Sequence, residues 1–350
     1  MSRSLIRTLC ALALGVLVQA CVIIPIMPFS SELREVELRP STRLFPKKIL
    51  LVDIEGFLST RDEGGLFGGP SMIASLDDQL NRAKKDSQIK AVVLRINSPG
   101  GTVTASDMMY RRVLKFREET SIPVYVAMMD LTASGGYYIA MAADALYAEP
   151  TSIVGSISVV AFFPEGEDLM NKIGIRVAAI KSGEMKDIGS IFRHMKPEEQ
   201  KILQGIVSDM HDQFVSVVEK GRPKLSPEKI RSLADGRVFT AKRAAEEGLI
   251  DGVARLDEVI EKAEIAAGTH GARVVAYRRG RASAASIYAT SADVSPEAGS
   301  GSAWNSNAAG PLGARTGAGA MGAPAQVNLI NIDAAGRRPT QPGFHYYWMP

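Results

Sequence analysis

Val124-Tyr125-Val126-Ala127-Met128 and, four residues on, Thr132-Ala133-Ser134-Gly135-Gly136-Tyr137-Tyr138 form the stretch whose reading decides the fold. The first run is apolar and rich in β-branched and aromatic residues, the signature of a buried strand. In the second, a serine and two glycines allow a tight turn, and Tyr138 to Ala143 then reads as a helix of small residues. Upstream, Ala91 to Ile96 is apolar without polar alternation, as expected of a parallel strand covered on both faces. Asn97-Ser98-Pro99-Gly100-Gly101 breaks it. Lys48 to Ile54 reads as an earlier strand. Between these lie helical patterns at Ile73 to Lys84, with Leu76, Leu80 and Ala83 on one side, and at Asp107 to Glu119. Strands and helices alternating at short spacing predict an α/β fold with a largely parallel β core and flanking helices.

Downstream the pattern turns helical. Pro197 opens a long segment to Glu219, with Ile202, Ile206, Met210, Phe214 and Val217 predicted as one apolar stripe. Ser226-Pro227-Glu228 starts another helix, serine as N-cap and proline at the first turn. Leu256 to Ala266 forms a last helix.

The bulk composition excludes several classes. In 350 residues, 46% are hydrophobic and 23% charged, ordinary values for a globular protein. A net charge of +3 without a Lys/Arg stripe gives no reason to expect nucleic acid. Both cysteines, Cys10 and Cys21, precede the folded part, so no disulfide or thiolate metal site is expected there. His194, His211, His270 and His345 lack ligand spacing, and neither metal nor other cofactor is predicted.

The ends differ from the middle. Arg3, Arg7 and the apolar run Leu9 to Ala20 have the layout of a secretory signal over residues 1–21. Leu17-Val18-Gln19-Ala20-Cys21 resembles a bacterial lipobox, with Cys21 as the lipid attachment. The alternative is an uncleaved anchor, since apolar character continues through Met27. Either puts the body on a membrane, on the exported (periplasmic) face. Residues 22–46 read as a linker, 47–266 as the main domain, and 267–326 as a largely disordered Ala/Gly/Ser-rich linker. Residues 327–350 end in Phe344-His345-Tyr346-Tyr347-Trp348, an aromatic cluster expected to dock, or else a functionless sticky end.

Ser134 at its strand-to-helix turn is a candidate nucleophile, though small residues at a helix start also serve packing. The Gly135 amide beside it and an amide of the Gly100-Gly101 turn are candidate oxyanion donors. No histidine lies in a turn that pairs with Ser134. Lys186, in Lys181-Ser182-Gly183-Glu184-Met185-Lys186-Asp187, is the candidate base; otherwise it is a solvated loop charge. Ser156, in Ile153-Val154-Gly155-Ser156-Ile157, could hold a neutral lysine amine by hydrogen bonding, or merely satisfy a turn. Together these suggest a serine–lysine hydrolase.

These four motifs occur in the order seen in the signal peptide peptidase A family of serine–lysine peptidases, which the chain resembles from about Lys47 to Ala266. Asp235-Gly236-Arg237-Val238-Phe239-Thr240 and Ala245 to Asp251 are similar to its closing motif. The resemblance implies a Clp/crotonase-like superhelix with Ser134 as nucleophile, Lys186 as general base, Ser156 orienting the lysine, and Gly100, Gly101 and Gly135 framing the oxyanion hole. It further implies peptide substrates, signal-peptide remnants among them, and a homo-oligomeric ring with serine and lysine from neighbouring subunits. Ser158, Ala241 and Phe162 to Glu167 depart from the family pattern; the last stretch bears on the substrate groove. A catalytically silent scaffold and a crotonase-like acyl-CoA enzyme are the competing readings.

Overall fold

Alternate residues of the strand Lys48–Glu55 enter two different cores: Leu50, Val52 and Ile54 pack on one side of the sheet, Ile49 and Leu51 on the other. Burial on both faces explains why this strand and Ile89–Ser98 are apolar throughout rather than alternating. The computed structural model describes residues 32–44, 46–61, 70–279 and 286–289, together with the backbone of 344–347.

In chain order the strands are β1 (Arg34–Arg39), β2 (Lys48–Glu55), β3 (Ile89–Ser98), β4 (Gly100–Thr102), β5 (Val124–Ala133) and β6 (Ala145–Ala148). They continue as β7 (Ile153–Gly155), β8 (Val160–Ala161), β9 (Val238–Thr240), β10 (Gly252–Val253), β11 (Arg273–Arg278) and β12 (Phe344–Tyr347). The helices are α1 (Met72–Lys85), α2 (Val103–Thr120), α3 (Gly135–Ala140), α4 (Glu167–Lys172), α5 (Pro197–Gly221), α6 (Pro227–Leu233), α7 (Ala241–Glu246) and α8 (Leu256–Ala266).

The main sheet has nine strands in the order β1-β11-β2-β3-β5-β6-β10, with β7 pairing β5 and β9. Its pairings are parallel except β1–β11 and β7–β9. Helices α1, α2, α3 and the C-terminal half of α5 cover one face, and α8 covers the other with Leu256, Val259, Ile260 and Ala263. The fold is therefore the expected α/β class. A separate small sheet runs β4-β12-β8.

Two strands of the main sheet lie beyond the 47–266 span expected for the main domain. β1 pairs with β11, and β11 extends the sheet beside β2. The turn at 286–289 is also held: buried Arg95, paired with Asp53 at 2.7 Å, donates to the carbonyls of Ile287 (2.6 Å) and Ala289 (2.9 Å). A guanidinium buried in a sheet needs every donor satisfied, and this turn supplies two acceptors. The expected linkers at 22–46 and 267–326 thus both contribute structure. The predicted signal at 1–21 with Cys21, the glycine-rich stretch 64–69 and residues 290–343 lie outside the described residues.

Helix α5 differs from expectation in one respect. Phe214 and Val217 are buried as predicted, but Ile202 is 45% exposed. Only Glu199 is buried in the helix's first half.

Candidate active site

Ser134 sits between β5 and α3 with φ 52° and ψ −115°. Such a conformation is costly for a non-glycine residue and marks a turn held by its surroundings. Its amide donates to the Gly155 carbonyl (2.7 Å), and its carbonyl accepts from the Tyr138 amide (2.9 Å). The turn is thus fixed to β7 on one side and to the helix on the other. Buried Tyr137 donates its hydroxyl to the Leu249 carbonyl (2.6 Å), and Tyr138 donates to Asp107 (2.9 Å). Burial pushes both phenols above their usual range. Ser134 is 1% exposed, and its Oγ has no hydrogen-bond partner among the described residues. A buried hydroxyl left unpaired is costly and calls for an explanation beyond packing.

Ser156 occupies the matching place on the neighbouring strand. Ala133 pairs with Gly155 in the parallel β5–β7 ladder, so the two serines follow at the same register. Ser156 also has positive φ (53°), is 5% exposed, and donates its amide to the Arg237 carbonyl (2.9 Å).

The Pro99-Gly100-Gly101 segment closes the site from another side. Its two glycines begin strand β4 rather than forming a simple turn. Leu58 grips it on one edge, donating to the Gly100 carbonyl (2.9 Å) and accepting from the Thr102 amide (2.8 Å). Alternation along an extended chain turns the polar groups of Gly101 to the opposite edge. A Cβ on Gly101 would lie 2.0 Å from the Leu58 carbonyl oxygen, so only glycine permits this approach. A Cβ on Gly135 would meet Gly100 Cα at 3.3 Å, which sets β4 beside the serine turn. The Gly100 amide donates to Ser98 Oγ (3.1 Å), and that hydroxyl donates to the Gly56 carbonyl (2.7 Å). Of the three glycines, Gly100 has its amide taken by Ser98, while Gly101 turns its polar groups to the edge on which Tyr346 pairs. Ser98 and Leu58 are the residues that sequence reasoning missed. The only signal for Ser98 was its place within the Asn-Ser-Pro-Gly-Gly motif.

Lys186 makes no hydrogen bond to Ser134 among the described residues. It lies on a 3-10 turn, Glu184–Asp187, and is exposed, whereas Ser134 Oγ is enclosed and unpaired. The segment from residue 161 to 198 contains no buried residue, and it exposes Phe162, Leu169, Ile173, Ile180, Met185 and Phe192. The Lys186 turn is nevertheless tied down. Arg193 donates to both Asp187 carboxylate oxygens (3.0 and 2.9 Å) and to both oxygens of Glu199 at the start of α5. Lys181 adds an ion pair to Asp187 (2.5 Å). Arg193 and Lys181 hold the Asp187 carboxyl well below the usual range; Arg193 and the Lys196 amide hold Glu199 down at about 2. No sequence signal marked Arg193. Among the described residues no cluster of His, Cys, Asp or Glu could hold a metal ion.

The comparisons with known proteins fit this geometry. Peptidase family S49 matches residues 116–270, and Clp protease matches residues 71–154. The fold is Clp protease-like, and the family match makes the chain a serine peptidase. The chain belongs to peptidase family S49, the signal peptide peptidase A family, whose chemistry is that of a Ser–Lys dyad. It is 31% identical over 233 residues to a protein of Enterococcus faecium assigned as a signal peptide peptidase SppA, covering 66% of this chain and 67% of that one. Protease 4 of Haemophilus influenzae is 34% identical over 219 residues, 63% of this chain and 35% of its own. The chloroplastic serine protease SPPA of Arabidopsis thaliana is 37% identical over 194 residues, 55% and 28% respectively. The chain thus spans about a third of those two longer relatives.

Proposed function

We propose that the chain is a membrane-tethered, ATP-independent endopeptidase that degrades signal-peptide remnants and other membrane-associated or unfolded peptides. Ser134 is the nucleophile, Lys186 the general base and Ser156 the hydroxyl that orients the lysine. The observation that carries this reading is the enclosed Ser134 Oγ, unpartnered among the described residues and at the same register as Ser156.

In the reaction, Ser134 Oγ attacks the peptide carbonyl as its proton passes to the neutral lysine amine. The oxyanion is received by the amides of Gly101 and Gly135, with Gly100 shaping the turn that presents them. The lysine returns the proton to the leaving amine, and water then hydrolyses the acyl-enzyme by the same route.

The lysine comes from a neighbouring copy in a homo-oligomeric ring. Support lies in the exposure of Lys186 and in the apolar residues bared around it, a patch of the kind that marks protein contacts. The sequence supports a lipid on Cys21, or an N-terminal anchor, holding the ring on the exported face of the membrane.

Fluorophosphonate labelling and peptide profiling by mass spectrometry, run on wild type and Ser134→Ala side by side, test the assignment. Labelling and cleavage should both vanish in the variant. Cleavage that survives Ser134→Ala would sink it.

A further inference from the structure

We propose that the C-terminal segment Phe344–Tyr347 occupies the peptide-binding slot of this chain's own active site as a substrate-like strand, so that substrate must displace it. The inference rests on the peptidase reading above.

Strand β12 lies between β4 and β8 and is antiparallel to both. The other edge of β4 is taken by Leu58, and β8 pairs, among the described strands, with β12 alone. Neighbouring strands in a sheet are about 4.8 Å apart, so β4 and β8 bound a slot one strand wide, roughly 10 Å across. Without a guest, each would present an open edge of backbone donors and acceptors. Such an edge takes up extended peptide by strand addition, main-chain hydrogen bonds supplying affinity.

The register ties this slot to the chemistry. Tyr346 pairs with Gly101 and Tyr347 with Gly100, while Phe344 pairs with Ala161 and His345 with Val160. Gly100 lies beside Gly135 and therefore beside Ser134. The segment thus runs from β8 along β4 and sets Tyr346 opposite Gly101, the proposed oxyanion donor, as the acyl side of a bound peptide would. Because Lys186 is exposed and makes no hydrogen bond to Ser134 among the described residues, the segment can fill the slot of a lone subunit without being cut there.

The experiment compares the full chain, a chain ending at Gly343 and full-length Tyr346→Pro, which removes a backbone donor from β12. Hydrolysis of a short fluorogenic peptide should show KM lowered by about threefold or more in both variants, kcat being retained. The synthetic peptide Gly343–Pro350 should restore the higher KM competitively. In parallel, with Ser134→Ala in every chain, amide exchange at residues 100–102 and 160–161 should quicken when the segment is removed. It should slow again on adding the peptide. Unchanged KM, unchanged exchange and no competition, in chains that hydrolyse normally, would overturn the proposal and leave the peptidase reading intact. Exchange that responds as expected in chains that hydrolyse nothing would instead uphold the docking and sink the peptidase reading.

Discussion

Ser134 and Ser156 leave two paired parallel strands at the same register, each one residue beyond the Ala133–Gly155 pair and each at positive φ, 52° and 53°. Neither is glycine, although glycine would adopt this backbone without strain. A hydroxyl is therefore retained at both places against a conformational cost of about 1 kcal/mol or more. Ser156→Gly should relieve that cost, leaving Tm unchanged or higher, while kcat falls about 10- to 100-fold as the lysine loses its orienting partner. Thermal melts and steady-state kinetics on the same preparation check both halves. Full activity in Ser156→Gly would remove the serine from the mechanism.

Two glycines give opposite expectations. Gly101→Ala drives a methyl into the Leu58 backbone, so it should cost about 1–3 kcal/mol and lower kcat as β4 shifts from the nucleophile. Gly205, inside α5 with open space around it, should gain about 0.5–1 kcal/mol on substitution by alanine, with activity unaltered. Denaturant midpoints for the pair measure the contrast.

His194 provides a pH dependence with a defined sign. Its Nδ1 lies 3.0 Å from Glu165, with Asp168 and Glu167 near its other nitrogen. The hydrogen bond to Glu165 and then the charge of Asp168 raise its pKa above 6.5. A group raised in the folded state contributes fully below its unfolded pKa and loses that contribution as pH rises through its folded value. The clasp between residues 165–168 and 194 should therefore loosen as pH climbs above 6.5. An NMR titration should place the His194 midpoint above 6.5 and lower it in Glu165→Gln. A midpoint at or below 6.5 in the wild type would refute the clasp.

Arg193 should act on activity through the turn that carries Lys186. Arg193→Ala unties Asp187 from Glu199, so kcat should drop about tenfold or more with little change in KM; Arg193→Lys, which keeps the charge but loses the planar fork, should fall between. A change in KM alone would assign Arg193 to substrate binding instead.

Much of this was legible in the chain, for identifiable reasons. Both-face burial left β2 and β3 apolar, and the N-cap of α6 was written as Ser226-Pro227, whose hydroxyl accepts from the Lys229 amide. Ser134 and Ser156 could be found because each stands beside a glycine at a strand end. What was not legible depends on distant partners. β1 carries only Val36 and Leu38 among charged residues, so nothing local marks it as an edge strand for β11. Gly100-Gly101 reads as a turn because its strand character comes from Leu58 and residues 344–347. The apolar stripe on α5 was visible, but periodicity cannot say that Ile202 stands exposed while Phe214 and Val217 are buried. The same holds for Lys186: its motif names it, while its exposure, unbonded to Ser134, is a property of the fold.

That exposure yields the last prediction. Ser134 is buried and Lys186 is exposed on the 161–198 segment, so in the proposed ring the dyad draws its lysine from a second chain. Ser134→Ala and Lys186→Ala homo-oligomers should each be inactive. When the two are unfolded together and reassembled, some contacts will join an intact serine from one chain to an intact lysine from the next. Activity should then return to a fraction of wild type that peaks near equal mixing, and fluorophosphonate labelling should be confined to the Lys186→Ala chains, which retain Ser134. Lys186→Arg in place of Lys186→Ala should complement equally well, since its serine is intact, yet stay inactive alone because a guanidinium keeps its proton. Mixed assemblies of normal size that remain inactive at every ratio would show that each chain completes its own dyad, by a rearrangement that carries the 161–198 segment inward.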